Sequence, residues 1–262
     1  MSHETIRIET DPRGVATLTL ALPEKRNALS AKMLEELTDA AGALSADDSV
    51  RVVILAADGP TFCAGGDLGW MRQQIDADAE TRRAGARQLA HMLHAMNIMA
   101  KPLIGRVHGN AFGGGVGMMS VCDVVIAARD AKFGLTETRL GLIPATIGPY
   151  VLARMGEDKA RRVFMSGRIF DAEEAVTLNL VARLADPGHL DEMVEAEAAP
   201  YMQCAPGAVA EAKRLARALG PRIDEAVIED TIDRLIAMWD GKEAPEGIAA
   251  FFDKRKPGWQ QG

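Results

Sequence analysis

The sequence predicts an α/β fold: a mainly parallel sheet with helical crossovers, followed by an α-helical appendage. Three observations carry this expectation. Short apolar runs read as strands buried on both faces, helix-period stretches lie between them, and beyond residue 155 the pattern turns helical. With 262 residues, 48% of them hydrophobic, the chain can bury a substantial core.

The first element is a hairpin. "TIRIETDPRGVATLTLAL" alternates apolar and polar residues around the turn former "DPRG", which predicts strands over 5–10 and 15–21. Ser30 then stands where a helix cap is needed, ahead of Met33, Leu34, Leu37, Ala41 and Leu44 at helical spacing, and "RVVILAA" follows as a buried strand. A helical stretch over 78–99 precedes the strand "KPLIGRVHG", a glycine run opens a short helix, and "DVVIAAR" supplies another strand. Further on, Asp171 and Glu174 have capping-box spacing, and helices are expected near 188–199, 205–219, 222–239 and 243–253. The segment 70–83, "WMRQQIDADAETRR", is polar and reads as a long mobile loop.

Charge and cysteine content exclude several functions. A net charge of -7 offers no diffuse attraction to nucleic acid or anionic lipid, so any phosphate must be held by local basic groups. Cys63, Cys122 and Cys204 form no CxxC pair, which argues against a disulfide framework or a zinc site and for a reducing compartment. The N-terminal stretch lacks a signal-type apolar core and no run of about 18 apolar residues occurs. A soluble cytoplasmic protein without nucleic-acid or membrane partners is expected.

The densest clue is "GNAFGGGVGMMSVCD", residues 109–123. As a dinucleotide fingerprint it fails, because Ser120 replaces the third glycine and Glu137 is not at the end of the following strand. No Gly-Lys-Ser/Thr follows, so it is not a phosphate loop. Bare backbone at a helix start presents N–H groups with no intrahelical partner, and such donors stabilise a developing oxyanion. A second glycine turn, "GPTFCAGGDLGWM" over 59–71, follows the strand "RVVILAA" and can bring another donor to the same oxygen.

Together "PEKRNALS" (23–30), "FCAGGDL" (62–68), "GNAFGGGVG" (109–117) and "AKFGLTETRLGLIPATIG" (131–148) resemble the crotonase, or enoyl-CoA hydratase/isomerase, superfamily across nearly the whole chain. The resemblance implies a crotonase-like (ClpP/crotonase) spiral of strand-strand-helix repeats over 1–197 and a helical trimerisation region over 198–262, in a homotrimer or a dimer of trimers. It implies an acyl-CoA thioester substrate, with no separate cofactor and no metal. The N–H groups of Ala64 and Gly114 are expected to hold the thioester oxygen. Lys25 and Arg26 are expected near the nucleotide phosphates and the Ala28 backbone near adenine, with the turn Ala64, Gly65, Gly66, Asp67 and Leu68 along the bound thioester. Asp67 is further expected to cap a helix, and the C-terminal Lys254, Arg255 and Lys256 are expected to add charge toward a CoA bound to a neighbouring subunit.

Of the two glutamates of some hydratases in this superfamily, one aligns with Gly117 and is missing, and the other aligns with Glu137 and is retained. Glu137 is therefore expected to be the general acid/base, with burial raising its pKa. His91, His94 and His108 are expected to be structural, His108 beneath the glycine loop, and Cys63 lacks a base in sequence.

A single glutamate serves hydration of an α,β-unsaturated acyl-CoA or Δ3-Δ2 isomerisation, and composition does not separate them. The motif context looks like bacterial methylglutaconyl-CoA hydratases of leucine breakdown and relatives acting on carboxylated isoprenoid acyl-CoAs, which places hydration first. Gly117 would then leave room for the substrate's own carboxylate. A catalytically weak CoA-ester- or RNA-binding relative is the alternative of another class.

Overall fold

The computed structural model describes residues 3–261. Its large sheet is built from β1 (Ile6–Thr10), β2 (Val15–Leu20), β3 (Val52–Ala57), β5 (Leu103–Val107), β7 (Val124–Ala128) and β10 (Arg183–Ala185), adjacent in that order. Only β1 and β2 pair antiparallel, as the hairpin signal requires; every other neighbour is parallel. Asp11 closes the hairpin by accepting from the N–H groups of Arg13 and Val15 at 2.8 and 3.0 Å.

A second sheet, which the sequence reading did not contain, comprises β4 (Thr61–Cys63), β6 (Asn110–Phe112), β8 (Lys132–Gly134) and β9 (Ile169–Asp171). Each of the first three follows closely on a strand of the large sheet: β3 leads to β4, β5 to β6 and β7 to β8. The chain therefore makes repeated turns of long strand, short strand and helix, which is the spiral expected. Three residues are too few to display a period of two, so these strands carry no alternation to read.

Helices α1 (Ala31–Ala46), α3 (Ala79–Ile98) and α4 (Gly114–Val121) cover one face of the large sheet, where Leu18, Leu37, Leu55, Leu93 and Met96 are fully buried. On the other face Val52, Ile54, Ile104 and Ile126 pack against α8 (Leu190–Ala198) through Leu190 and Val194. Burial on both sides explains why β3 is apolar at all six positions. Ser30 caps α1 through the Met33 N–H at 3.3 Å.

Residues 70–83 are mostly helical, which corrects the loop expectation. Asp67 caps α2 (Leu68–Asp76) through the Trp70 N–H at 2.9 Å, and Asp78 caps α3 through the Thr81 N–H at 2.8 Å. The polar residues face outward while Gln74 is buried.

After α5 (Gly148–Met155), α6 (Glu157–Phe164), α7 (Ala172–Thr177) and α8 come α9 (Pro206–Leu219), α10 (Glu225–Trp239) and α11 (Glu243–Phe252). Asp171 caps α7 by accepting from Glu174 N–H at 2.8 Å, but the Glu174 carboxylate pairs with Arg168, so only half of the capping box forms. Helix α10 returns to α3, burying Ile228, Ile232 and Ile236 against Ala86 and Ala90.

Candidate active site

The two glycine turns meet at the junction of β4 and β6, which pair in parallel. Gly113 precedes α4 at φ +49, a conformation a side chain rarely adopts. Its N–H donates to the Gly134 carbonyl at 2.9 Å, tying the turn to β8. Gly114 is the first residue of α4, so its N–H has no intrahelical acceptor, and none is supplied among the described residues.

The donor expected opposite it is corrected. Ala64 N–H is already committed, donating to the Arg26 carbonyl at 3.0 Å. Further along, Leu29 N–H donates to the Gly65 carbonyl at 2.8 Å and Asp67 N–H to the Leu29 carbonyl at 3.1 Å, so that Gly66 alone in this turn keeps a backbone N–H without a partner among the described residues and without a side chain to cover it. Gly66 is exposed, and a Cβ there would meet only Met71, at 3.9 Å. The pair of free donors is therefore Gly66 and Gly114. Spacing alone did not distinguish Gly66 from Ala64, because the competing acceptor is 38 residues away in sequence.

Glu137 begins the 3-10 turn Glu137–Leu140 directly after β8. A Cβ built on Gly113 would lie 3.0 Å from Glu137 Oε1 and 4.0 Å from the Gly65 Cα, so the carboxyl stands over the two glycine turns. Glu137 Oε2 is sealed from solvent and has no hydrogen-bond partner among the described residues. Burial with no neighbouring cation raises its pKa to about 7.

Gly117 does not leave room for a substrate group. A Cβ there would stand 2.5 Å from Ile147 Cγ2 and 3.6 Å from Leu93 Cδ1, so the volume an acid would need is filled by Ile147. His108 Nε2 is 2.7 Å from the Gly59 carbonyl, in the turn before β4. The Cys63 thiol is buried and pushed up to about 12 by desolvation, which removes it as a nucleophile.

A cavity of about 500 Å³ opens from the glycine turns, lined by Ala64, Gly65, Gly66, Gly113, Gly114 and Glu137 at the polar end. Its far wall is apolar, formed by Leu68, Trp70 and Met71 of α2, Ile147, and Leu235 and Trp239 of α10. Leu68 and the segment from 70 are marked by the sequence, whereas Ile147, Leu235 and Trp239 are not, because no local pattern brings 70, 147 and 239 together. Arg82 braces the wall. Its guanidinium donates to the Gln74 and Ile75 carbonyls at 2.9 and 3.0 Å, and it lies 5.3 Å from the Trp239 ring centroid.

The segment expected along CoA is a tight turn outside this cavity. Arg26 and Asn27 both take left-handed backbone, at φ +52 and +51. Asn27 pins the turn: its Oδ1 accepts from Leu22 N–H and its Nδ2 donates to the Asp58 and Thr61 carbonyls, each at 2.9 Å. Lys25 and Arg26 are exposed and make no ion pair among the described residues, and Ala28 N–H donates to the Lys25 carbonyl. Near the C-terminus Arg255 is held by Glu246 at 2.7 Å.

No metal-ligating cluster of His, Cys, Asp or Glu occurs among the described residues, nor any helix long and apolar enough to cross a membrane.

The family model described as enoyl-CoA hydratase/isomerase matches residues 10–262. A Rhizobium meliloti protein named "Probable enoyl-CoA hydratase" is 36% identical over 264 residues, covering 98% of each chain. A Syntrophomonas wolfei protein named crotonyl-CoA hydratase is 32% identical, again covering 98% of each. The crystal structure of an enoyl-CoA hydratase from Mycobacterium avium superposes with a TM-score of 0.84 at 30% identity, covering 98% of this chain and 100% of that one. By sequence and by fold, the chain belongs to the enoyl-CoA hydratase/isomerase family.

Proposed function

We propose that this protein adds water across the α,β double bond of an enoyl-CoA thioester, with Glu137 as its only acid/base group. The observation that carries the proposal is one sealed carboxyl above two unpaired backbone donors, at the mouth of an apolar cavity. With the thioester oxygen on the Gly66 and Gly114 N–H groups, the Glu137 carboxylate takes a proton from water as its oxygen bonds to the β-carbon. The π electrons pass to the thioester oxygen as an enolate. Protonated Glu137 then returns a proton to the α-carbon as the carbonyl re-forms, leaving the 3-hydroxyacyl thioester and the original carboxylate. Two preorganised donors are worth several kcal/mol here, about 3 for each lost.

The finer substrate is a carboxylated branched enoyl-CoA such as 3-methylglutaconyl-CoA, on the motif resemblance. Since Ile147 occupies the space at Gly117, the carboxylate would be received by Arg139, the one cation lining the cavity among the described residues. Lys25 and Arg26, exposed and unpaired, are the groups available to the CoA phosphates. Exposed Leu215 and Leu219 on α9 support a homotrimer or a dimer of trimers, which sedimentation measures.

One observation favours a second reaction on the same site. Apolar Ile147 stands where a second, water-holding acid would be, so proton transfer from the α- to the γ-carbon of a 3-enoyl-CoA, isomerisation by Glu137, is the second reading. Absorbance at the enoyl-thioester band separates the outcomes. Its loss with crotonyl- or 3-methylglutaconyl-CoA means hydration, its gain from a 3-enoyl-CoA means isomerisation, and silence with measurable binding refutes both. Arg139→Gln should lower kcat/KM at least about tenfold for the carboxylated ester and leave crotonyl-CoA unaffected; an equal effect on both rejects the carboxylate assignment.

A further inference from the structure

Helix α2 carries its part of the acyl wall with little help from the core. Of its nine residues only Gln74 is buried, and Leu68 is 50% exposed, so burial alone does not fix where Trp70 and Met71 stand. The turn before the helix is fixed separately, because Leu29 bonds to both Gly65 and Asp67. What remains to be set is the far end of α2.

That end depends on Arg82, near the start of α3. Gln74 and Ile75 stand in the last turn of α2, where carbonyls have no helical N–H to receive, and this turn carries no basic residue of its own to meet the negative end of the helix dipole. Arg82 supplies both needs, its Nε and Nη2 donating to the two carbonyls at 2.9 and 3.0 Å. The third nitrogen, Nη1, donates to Asp240 Oδ1 at 3.3 Å, just after α10, and the guanidinium faces the Trp239 ring. With 13% of the side chain exposed, these charge-assisted bonds are largely shielded from water. One group thus ties together the two helices that bring Trp70, Met71, Leu235 and Trp239 to the cavity.

Gly85 shows how closely the wall is set. Lying one turn beyond Arg82 on α3, it would place a Cβ 3.0 Å from Trp70 Cζ2, so the indole rests on bare backbone. On α11 the Phe252 ring lies 4.5 Å from the Arg72 guanidinium and steadies the same helix.

The consequence rests on the reading of the cavity as an acyl-CoA site. We infer that Arg82 is a positioning residue that sets the acyl-chain preference, by clamping the C-terminal end of α2 to α10 so that Trp70 and Met71 face Leu235 and Trp239 across the chain. Gly66 and its donor are held by Leu29 instead, so the clamp acts on binding of the longer chain rather than on the chemical step.

The test compares acyl chains within each full-length variant, so that every protein is its own control for folding. The parent, Arg82→Gln and Arg82→Lys are assayed with 2-octenoyl-CoA and crotonyl-CoA, and Kd is measured for the saturated octanoyl-CoA and butyryl-CoA. In Arg82→Gln the octenoyl-to-crotonyl ratio of kcat/KM should fall about tenfold or more, through KM for the longer chain, and the octanoyl-to-butyryl affinity ratio should fall alike. Arg82→Lys keeps the charge but offers one nitrogen in place of three, so both ratios should fall less, by about threefold, and it decides the matter if Arg82→Gln folds poorly. Parental ratios in either folded variant overturn the assignment, and so does a loss of kcat equal for both chains, the mark of a merely structural bond. A parent that turns over neither ester while the affinity ratio still drops in Arg82→Gln rejects the reaction and keeps the clamp.

Discussion

At residue scale the chemistry rests on one carboxyl with an unmet oxygen. Glu137→Gln keeps the shape and removes the proton carrier, so kcat should fall by about 10³ or more with KM little changed, measured with crotonyl-CoA. Activity within tenfold of the parent would refute Glu137 as the base. In the hydration direction the carboxylate is the active form, so kcat/KM should rise with pH through about 7 and level off above it. The stability sign is opposite. The folded pKa of about 7 lies above the ordinary 4.5, so the stability contributed by protonated Glu137 is fully present below 4.5 and lost as pH rises through about 7. Glu137→Gln should therefore unfold at a higher temperature than the parent at pH 8 and lose that advantage at pH 4. The backbone donors differ in their tolerance of a methyl group. Gly66→Ala faces open space and should retain near-parent kcat, whereas a Cβ on Gly114 would meet Leu29 Cδ1 at 2.6 Å and should cost activity and stability together.

At element scale, helix–helix approach decides what the glycine run means. Helix α4 lies against the segment leading into α5, and Gly117 admits Ile147 at a distance no side chain would allow. Gly117→Glu should destabilise by about 2–4 kcal/mol in denaturant unfolding, through overpacking and a buried charge. Adding Ile147→Ala should recover part of that loss; no recovery would place the strain elsewhere. The same scale explains α2 and α3. The Asp67 cap and a helix from 78 are expected from the sequence, but the polar composition of 70–83 masked α2 itself and the cap at Asp78. The apolar contacts of α2 point along the acyl cavity rather than into a repeating helical stripe.

At the scale of the whole molecule, the C-terminal helices complete a site begun at the N-terminal end. Gly141 and Gly247 let α11 close onto the turn that carries Glu137: a Cβ on Gly247 would stand 2.5 Å from the Leu140 carbonyl oxygen. Helix α10 is tied to α3 by Arg83 and Arg87 on Glu229, Arg83 on Asp233 and His91 on Glu225, an antiparallel ladder beside the Ile228, Ile232 and Ile236 contacts. Partly exposed pairs are worth about 0.2–1 kcal/mol each, and like charges repel by similar amounts. Glu229→Arg should therefore lower stability by about 1–2 kcal/mol and raise KM more than it lowers kcat, because Leu235 and Trp239 wall the cavity. An unchanged KM would separate the ladder from substrate binding.

Much of this was legible in the sequence where the signal is local. The hairpin, the apolar runs of β3, β5 and β7, the cap at Ser30, the glycine-opened α4 and the lone Glu137 each declare themselves within a dozen residues, because strand period, helix period and cap chemistry are short-range properties. Only the tertiary structure decided the rest. Which backbone N–H is free, Gly66 rather than Ala64, depends on the Arg26 carbonyl; what replaces the missing acid depends on Ile147; and the second sheet and the acyl wall join residues far apart in the chain. A hydrogen bond and a filled volume each require a partner, and the partner's position is set by packing rather than by sequence distance.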